Sequence, residues 1–405
     1  MDFDDSPEEA AFRQECRTWL AANAKLRTPG IAEVWRTLRP RDEGEDDASL
    51  LVGKRWQALK ADAGFAGIQW PVEYGGRGLS GHLAGVFKQE EARYDVPANS
   101  FQVGVDMVGP TLIAHGTPAQ CQRHLDPIKR GDEVWCQLFS EPDAGSDLAG
   151  LSTRAVRDGD EFVVNGQKVW TSGAQSSDWG ILLVRTDPDQ PKHRGITYLL
   201  VDMRTPGIEV RPLTQIDGAV HFNEVFLSDV RVPVENVVGE IDGGWGVTMT
   251  TLVNERSAIG GGGMVQFAEI LMLAQELGRT DEPVLRQELA KIYTYFQITR
   301  FLGYRVQTSI SNGRQPGPES SVMKLHISRQ YGEGGDLYMS LLGAAGMLWL
   351  DDAPFDGFFQ GLFLAQWAPR IGGGTDQIQR NIAGERVLGL PAEPRVDKAV
   401  PFKDL

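Results

Sequence analysis

Four short stretches of this sequence carry side chains able to do chemistry. Leu252-Val253-Asn254-Glu255-Arg256 sets a carboxylate directly before a guanidinium in a stretch of helical periodicity. Such a glutamate serves as a general base if an apolar, water-excluded pocket raises its pKa toward neutrality. On an arbitrary helix the same pair is a solvated ion pair. Between Gln137 and Asp147, Gly145 allows close backbone approach and Ser146 offers a hydroxyl, which suits either a phosphate-bearing ligand or a plain turn. Asn165 to Ala174 and Gly372 to Arg380 are the other two stretches. Cys16, Cys121 and Cys136 have neither CxxC nor metal-ligand spacing, so neither a disulfide framework nor a metal site is expected.

The elements that must position these groups divide the chain in three. At 405 residues, two or three packed domains are expected. Helical signals fill the first part. Ser6-Pro7-Glu8-Glu9 is an N-cap with proline at the first helical position, followed by Phe12, Cys16, Trp19 and Leu20 at helical spacing. Pro40 to Asp47 reads as a charged loop and Trp70 to Gly78 as a break rich in Pro and Gly. Further helices are predicted over 83–94, 103–115 and 117–129.

From Val134 the pattern turns to short strands. Phe162 to Trp170 reads as two strands joined at Asn165-Gly166, the dipeptide of two-residue hairpins. Residues 181–184, 196–201 and 222–227 add strands at sandwich-like or barrel-like spacing. Beyond Val237, long apolar-periodic segments over 247–277, 283–312, 320–342 and 375–388 give the pattern of a helical bundle. The run Gly260 to Gly263 lies inside the first. It signals either close approach of a backbone or bulky ligand, or a helix break. The expected domains are 1–133 (helical), 134–240 (β) and 241–405 (helical).

Composition narrows the function. No apolar run approaches the ~18–20 residues needed to span a bilayer, so no membrane partner is expected. The net charge of −15 argues against a nucleic-acid surface. It leaves open an anionic ligand held by local donors. The acidic start Met1-Asp2-Phe3-Asp4-Asp5 lacks the layout of a signal peptide, and a cytoplasmic location is expected.

The layout and the motifs together resemble the acyl-CoA dehydrogenase superfamily. Gln137 to Asp147 looks like its first signature, Asn165 to Ala174 resembles the segment lying against the flavin ring, and Gly372 to Arg380 resembles its C-terminal signature. The resemblance implies an α+β fold with an N-terminal helical domain, a central β-sandwich or barrel and a C-terminal four-helix bundle. It further implies FAD as cofactor and oxidation of the Cα–Cβ bond of a coenzyme A thioester. Reduction places negative charge on the flavin edge, which calls for donors that carry no proton of their own. Ser140 and the main chain from Leu138 suit the pyrimidine edge. By the same resemblance Ser172 faces N5, Trp170 covers the ring face, and Gly145 and Ser146 contact the phosphate-bearing chains. Arg279, Gly343, Thr375 and Gln377 complete the implied cofactor contacts, and Ser146, Leu252, Arg256 and Gly373 the substrate contacts.

Family members carry the base at one of two places. The first corresponds to Gly373, which cannot act as a base; the second corresponds to Glu255, as in isovaleryl-type and long-chain-type enzymes. Glu255 is therefore assigned as the base, with the Gly373 N–H left to stabilise the thioester oxygen. Small residues over Gly104–Gly109 and the glycine run suggest room for a branched or polycyclic acyl group.

Two departures touch the half of the cofactor site that a neighbouring subunit completes. Arg279-Thr280-Asp281-Glu282-Pro283 lacks the usual Phe-Gly, and Ser340 replaces a common Gln ahead of Leu341-Leu342-Gly343. They admit an α2β2 heterotetramer with a paralogue beside the homotetramer usual in the family. An electron-transfer flavoprotein is the implied acceptor. Two rivals remain: a flavin monooxygenase or oxidase on the same scaffold, and a non-catalytic partner subunit. Both are disfavoured by Glu255.

Overall fold

The structure, a computed structural model, describes residues 5–27, 43–97, 99–259, 266–311, 319–395 and 397–405. Helix α1 (Pro7–Asn23) starts where the capping signal puts it: Ser6 accepts from the Glu9 N–H, and Glu9 accepts from the Ser6 N–H. A two-residue strand β1 (Lys25–Leu26) follows, then α2 (Glu43–Asp62), α3 (Gly81–Glu91) and β2 (Tyr94–Asp95), which pairs with β1. Phe12, Cys16, Leu20, Trp56, Phe65 and Phe87 form the core among these helices. At its rim Glu90 takes bonds from Arg13, Arg17 and Arg93. Burial alone would raise its pKa; the three guanidinium bonds outweigh that and hold it down at about 2.

The charged loop expected over Pro40–Asp47 is corrected in part. Glu43–Asp47 belong to α2, and 40–42 lie outside the described residues. A π-helical turn (Val103–Val108) leads into α4 (Gly109–His115), and α5 (Pro118–Arg130) completes the N-terminal part. Gly109 is required by packing: a Cβ there would stand 2.1 Å from Trp70 Cζ2. A Cβ on Gly104 would press Ile128 at 3.2 Å and Trp135 at 3.5 Å. The missing side chains leave room for Trp70 at Gly109 and for Ile128 and Trp135 at Gly104.

The central sheet runs β3 (Trp135–Leu138), β6 (Trp179–Arg185), β4 (Arg154–Asp158), β5 (Glu161–Ser172), β9 (Phe222–Pro233), β8 (Ile208–Leu213), with β7 (Ile196–Asp202) also on β6. The predicted Asn165-Gly166 hairpin is overturned. Residues 161–172 are one strand, and the dipeptide marks a register shift against β9. Two observations explain it. Asn165 exchanges hydrogen bonds with Asp229 on β9, and a Cβ on Gly166 would stand 2.4 Å from Thr153 Oγ1. The actual turn is Gly159-Asp160, between the paired Asp158 and Glu161, with Gly159 at φ 63°.

The C-terminal part comprises α6 (Gly244–Ile259), α7 (Phe267–Glu276), α8 (Pro283–Ser311), α9 (Glu319–Leu342), α10 (Phe358–Ala365), α11 (Ala368–Ile371) and α12 (Asp376–Ile382). Ile270, Leu273, Leu289, Ile292, Leu341 and Phe359 are central to its core. The single helix expected over 247–277 is two: α7 has its own start, where Gln266 and Glu269 form a reciprocal cap. Gly260–Gly263 lie outside the described residues. The helix expected over 375–388 gives way after Ile382 to a π-helical turn, Ala383–Val387. No helix among the described residues is long and apolar enough to cross a membrane.

Candidate active site

Helix α6 is fixed at the junction of all three parts. Thr251 Oγ1 lies 3.0 Å from Thr111 Oγ1 on α4 and 3.2 Å from the Tyr198 hydroxyl on β7. One residue earlier, Thr250 Oγ1 meets His115 Nε2 at 2.8 Å. Val247 and Leu252 pack on the apolar cluster of Val108, Leu112, Ile181 and Tyr198. Glu255 follows Thr251 by four residues, so the two share a face of the helix. Its side chain is half-buried, and Oε2 accepts from Gln137 Nε2 at 3.3 Å. Residue 255 is therefore not in bulk water. The side chain of Arg256 lies outside the described residues.

Gln137 sits on β3, where side chains alternate between faces. Cys136 and Leu138 enter the sheet's own core, whereas Trp135 joins the cluster shared with α4 and α6. Leu138 is fully buried, so only its main chain is available to a ligand. The strand leads into the first motif, which is locked to the second. The Val169 N–H donates to Ser140 O at 2.9 Å, and Lys168 Nζ donates to Phe139 O at 3.0 Å. Beneath them lies a buried ion pair, Lys168 Nζ to Glu141 Oε1 at 2.7 Å. The Glu141 carboxylate also accepts from the Ser152 N–H and hydroxyl and the Thr153 N–H. Burial alone would raise the Glu141 pKa. The Lys168 charge and these hydrogen bonds outweigh it and hold the group down at about 2.

Above that pair, Trp170 adopts φ 61°, a left-handed conformation rare for a bulky residue. It falls in a second register shift of β5 against β9, meets Phe222 edge-on at 5.8 Å and is 57% exposed. Ser172 is exposed at the end of β5, and Ser140, bonded to Val169 on the same strand, is half-buried. Gly145 and Ser146 are exposed, with nothing within 4 Å of a Cβ placed on Gly145. An uncovered indole, two hydroxyls and an open glycine fit a flat heteroaromatic ring with a polar edge and a phosphate tail.

The remaining predicted residues lie toward the two ends of α9. At its C-terminus Arg279 donates to the Ser340 and Leu341 carbonyls and forks onto Glu282, next to Gly343 at φ 57°. Toward the other end, Lys324 pairs with Asp376 at 3.1 Å, which ties down the turn bearing Gly373 and Gly374, both at positive φ. Thr375 caps α12 by accepting from the Ile378 N–H, Gln379 donates to Gly373 O, and Gln377 is exposed. At 1.5 Å per residue, Lys324 and Ser340 are roughly 24 Å apart along the helix.

Sequence reasoning gave no role to Gln137, Glu141, Lys168 or Arg185. A signal existed for Lys168. It shares the inward alternation of Phe162 and Val164, and a lysine there requires a buried counter-ion. Arg185 is likewise buried, donating to four carbonyls and stacked 4.0 Å over Phe402.

Comparison with known proteins agrees with this architecture. Family models match in order: acyl-CoA dehydrogenase N-terminal domain over 6–132, middle domain over 136–230 and C-terminal domain over 242–388. The chain belongs to the acyl-CoA dehydrogenase family, whose members are flavin-dependent oxidoreductases. It is 40% identical to acyl-CoA dehydrogenase IpdE1 of Mycobacterium tuberculosis, over 95% of this chain and 98% of that protein. Among solved structures it is similar to the Tcur3481-Tcur3483 steroid ACAD, at a TM-score of 0.81 and 31% identity over 97% of this chain and 100% of that one. The ChsE4-ChsE5 complex of Mycobacterium tuberculosis gives 0.78 and 31% over the same shares.

Proposed function

We propose that this protein oxidises the Cα–Cβ bond of an acyl-CoA thioester to the trans-2-enoyl product, with Glu255 taking the α-proton. The observation that carries the reading is the half-buried Glu255 carboxylate, held beside the strand that runs into Leu138–Ser140 and next to β5. When bound, FAD supplies the acceptor, at N5, for the hydride leaving Cβ. The chain's own residues do the rest. Ser140, the Leu138 main chain and Ser172 offer uncharged donors to the ring edge, Trp170 covers its face, and Gly145 and Ser146 receive the phosphate chain. Leu252, Arg256 and the Gly373 N–H are assigned to the thioester. In this reading the chain divides into domains at 1–133, 134–240 and 241–405.

The names of the similar proteins support two finer assignments. A steroid ACAD among them favours a bulky, ring-bearing acyl group over a short straight one. Two-chain complexes among them favour an α2β2 assembly with a paralogue over a homotetramer. The second gains support from Arg279: its guanidinium is engaged by Glu282 and two carbonyls of its own chain, leaving the phosphate contact to another subunit. An electron-transfer flavoprotein is the proposed acceptor and the cytoplasm the proposed location.

Anaerobic addition of acyl-CoA thioesters to the yellow holoprotein tests the reaction. Flavin bleaching is expected, and Glu255→Gln should slow it by about 10²–10⁴-fold. Undiminished bleaching in Glu255→Gln removes the base assignment, and NAD(P)H-linked oxygen uptake would favour a monooxygenase.

A further inference from the structure

We propose that Gln137 is a positioning residue for the base: its side-chain amide, projecting from β3, holds the Glu255 carboxylate in its working orientation at the entrance to the first motif. The inference rests on Glu255 being the base. Three observations support it. Gln137 Nε2 donates to Glu255 Oε2 at 3.3 Å, across 118 positions of sequence. Its anchor is rigid: β3 pairs in register with β6 from Trp135–Trp179 to Leu138–Leu182, and the residues on either side of Gln137, Cys136 and Leu138, are locked in the sheet core. The partner helix is equally fixed, by Thr251 on Thr111 and Tyr198, one turn before Glu255. Two fixed elements thus set one amide against one carboxylate.

A neutral amide has a specific effect there. It donates to the ionised carboxylate, favours the form that can accept a proton, and adds no competing charge. A lysine would hold the carboxylate too low for a base, and an apolar residue would leave a half-buried charge without this donor. The titratable groups on elements packed against α6 are engaged elsewhere. Asp106 is on Lys88, His115 on Thr250 and Tyr198 on Thr251. Cys136 points into the sheet core, and Asp202 lies at the far end of β7, paired in register with Trp179.

The test compares holoprotein of the wild type with Gln137→Leu, Gln137→Asn and Gln137→Glu. It follows the pH profile of kcat/KM and the 13C carboxyl titration of Glu255, whose signal is identified by its loss in Glu255→Gln. Losing the amide should raise the acid limb of the profile by on the order of one pH unit in Gln137→Leu. The shift should be larger in Gln137→Glu, where like charges oppose, and smaller in Gln137→Asn. The fall should appear in kcat, with KM little changed. An unmoved limb and unmoved carboxyl titration in a folded Gln137→Leu overturn the proposal; if that variant does not fold, the two polar variants decide by the same criterion. A Glu255→Gln protein that keeps its activity overturns the base assignment instead, whatever the Gln137 variants show.

Discussion

The junction around β3, β5 and α6 and the outer face of the C-terminal helices solve burial in opposite ways. At the junction, charged and polar side chains go inside and find partners there: Lys168 on Glu141, Thr251 between Thr111 and Tyr198, the Arg185 terminal nitrogens on four carbonyls. On the C-terminal side, apolar side chains stay outside. Met347 is 85% exposed, Leu388 71% and Ile371 65%. The junction holds its geometry with contacts made within one chain. The C-terminal face leaves apolar surface uncovered, of the kind that marks interaction surfaces.

The comparison can be broken in three places. Glu141→Gln should give the largest change, a loss of about 3–5 kcal/mol in denaturant unfolding, because it strands a buried lysine. The effect has a defined pH dependence. A carboxyl held below its unfolded pKa of about 4.3 stabilises above that value and loses the contribution as pH falls toward its folded pKa. The gap between wild type and variant should therefore narrow as pH falls from about 4.3 toward about 2; a gap independent of pH would count against an ionised pair. Gly109→Ala should cost about 1–3 kcal/mol by forcing Trp70 aside, read as a lower Tm. Leu388→Ser should change the isolated chain's stability by no more than about 0.5 kcal/mol. A loss as large as that of Glu141→Gln would show that the C-terminal face is buried as deeply as the junction.

Much of the fold was legible because it follows from local chemistry. The α1 cap, the strands at 181–184 and 196–201 and the helices α8 and α9 all come from spacing and capping alone. Asn165-Gly166 misled because the dipeptide's usual turn geometry was overridden by a partner strand: Asp229 on β9 bonds the asparagine side chain and draws the chain straight on. Gly104 and Gly109 are a related case. A missing side chain shows that space is needed and is silent on what fills it, here Trp70 at Gly109 and Ile128 with Trp135 at Gly104. For the site, the sequence put Glu255 on a helix of the C-terminal part. It could not show Gln137 as its neighbour, since that contact depends on how a strand and a helix far apart in sequence come to rest.

The Gly159-Asp160 hairpin has a practical use. Its tip is solvent-facing, and nothing lies within 4 Å of a Cβ added to Gly159. It stands at the opposite end of the twelve-residue β5 from Ser172, at about 3.3 Å per residue a separation of roughly 36 Å. A peptide tag, dye or surface tether spliced in at that tip would therefore leave the surface around Trp170 and Ser172 unhindered, whereas the same splice at Asn165-Gly166 would sever a continuous strand.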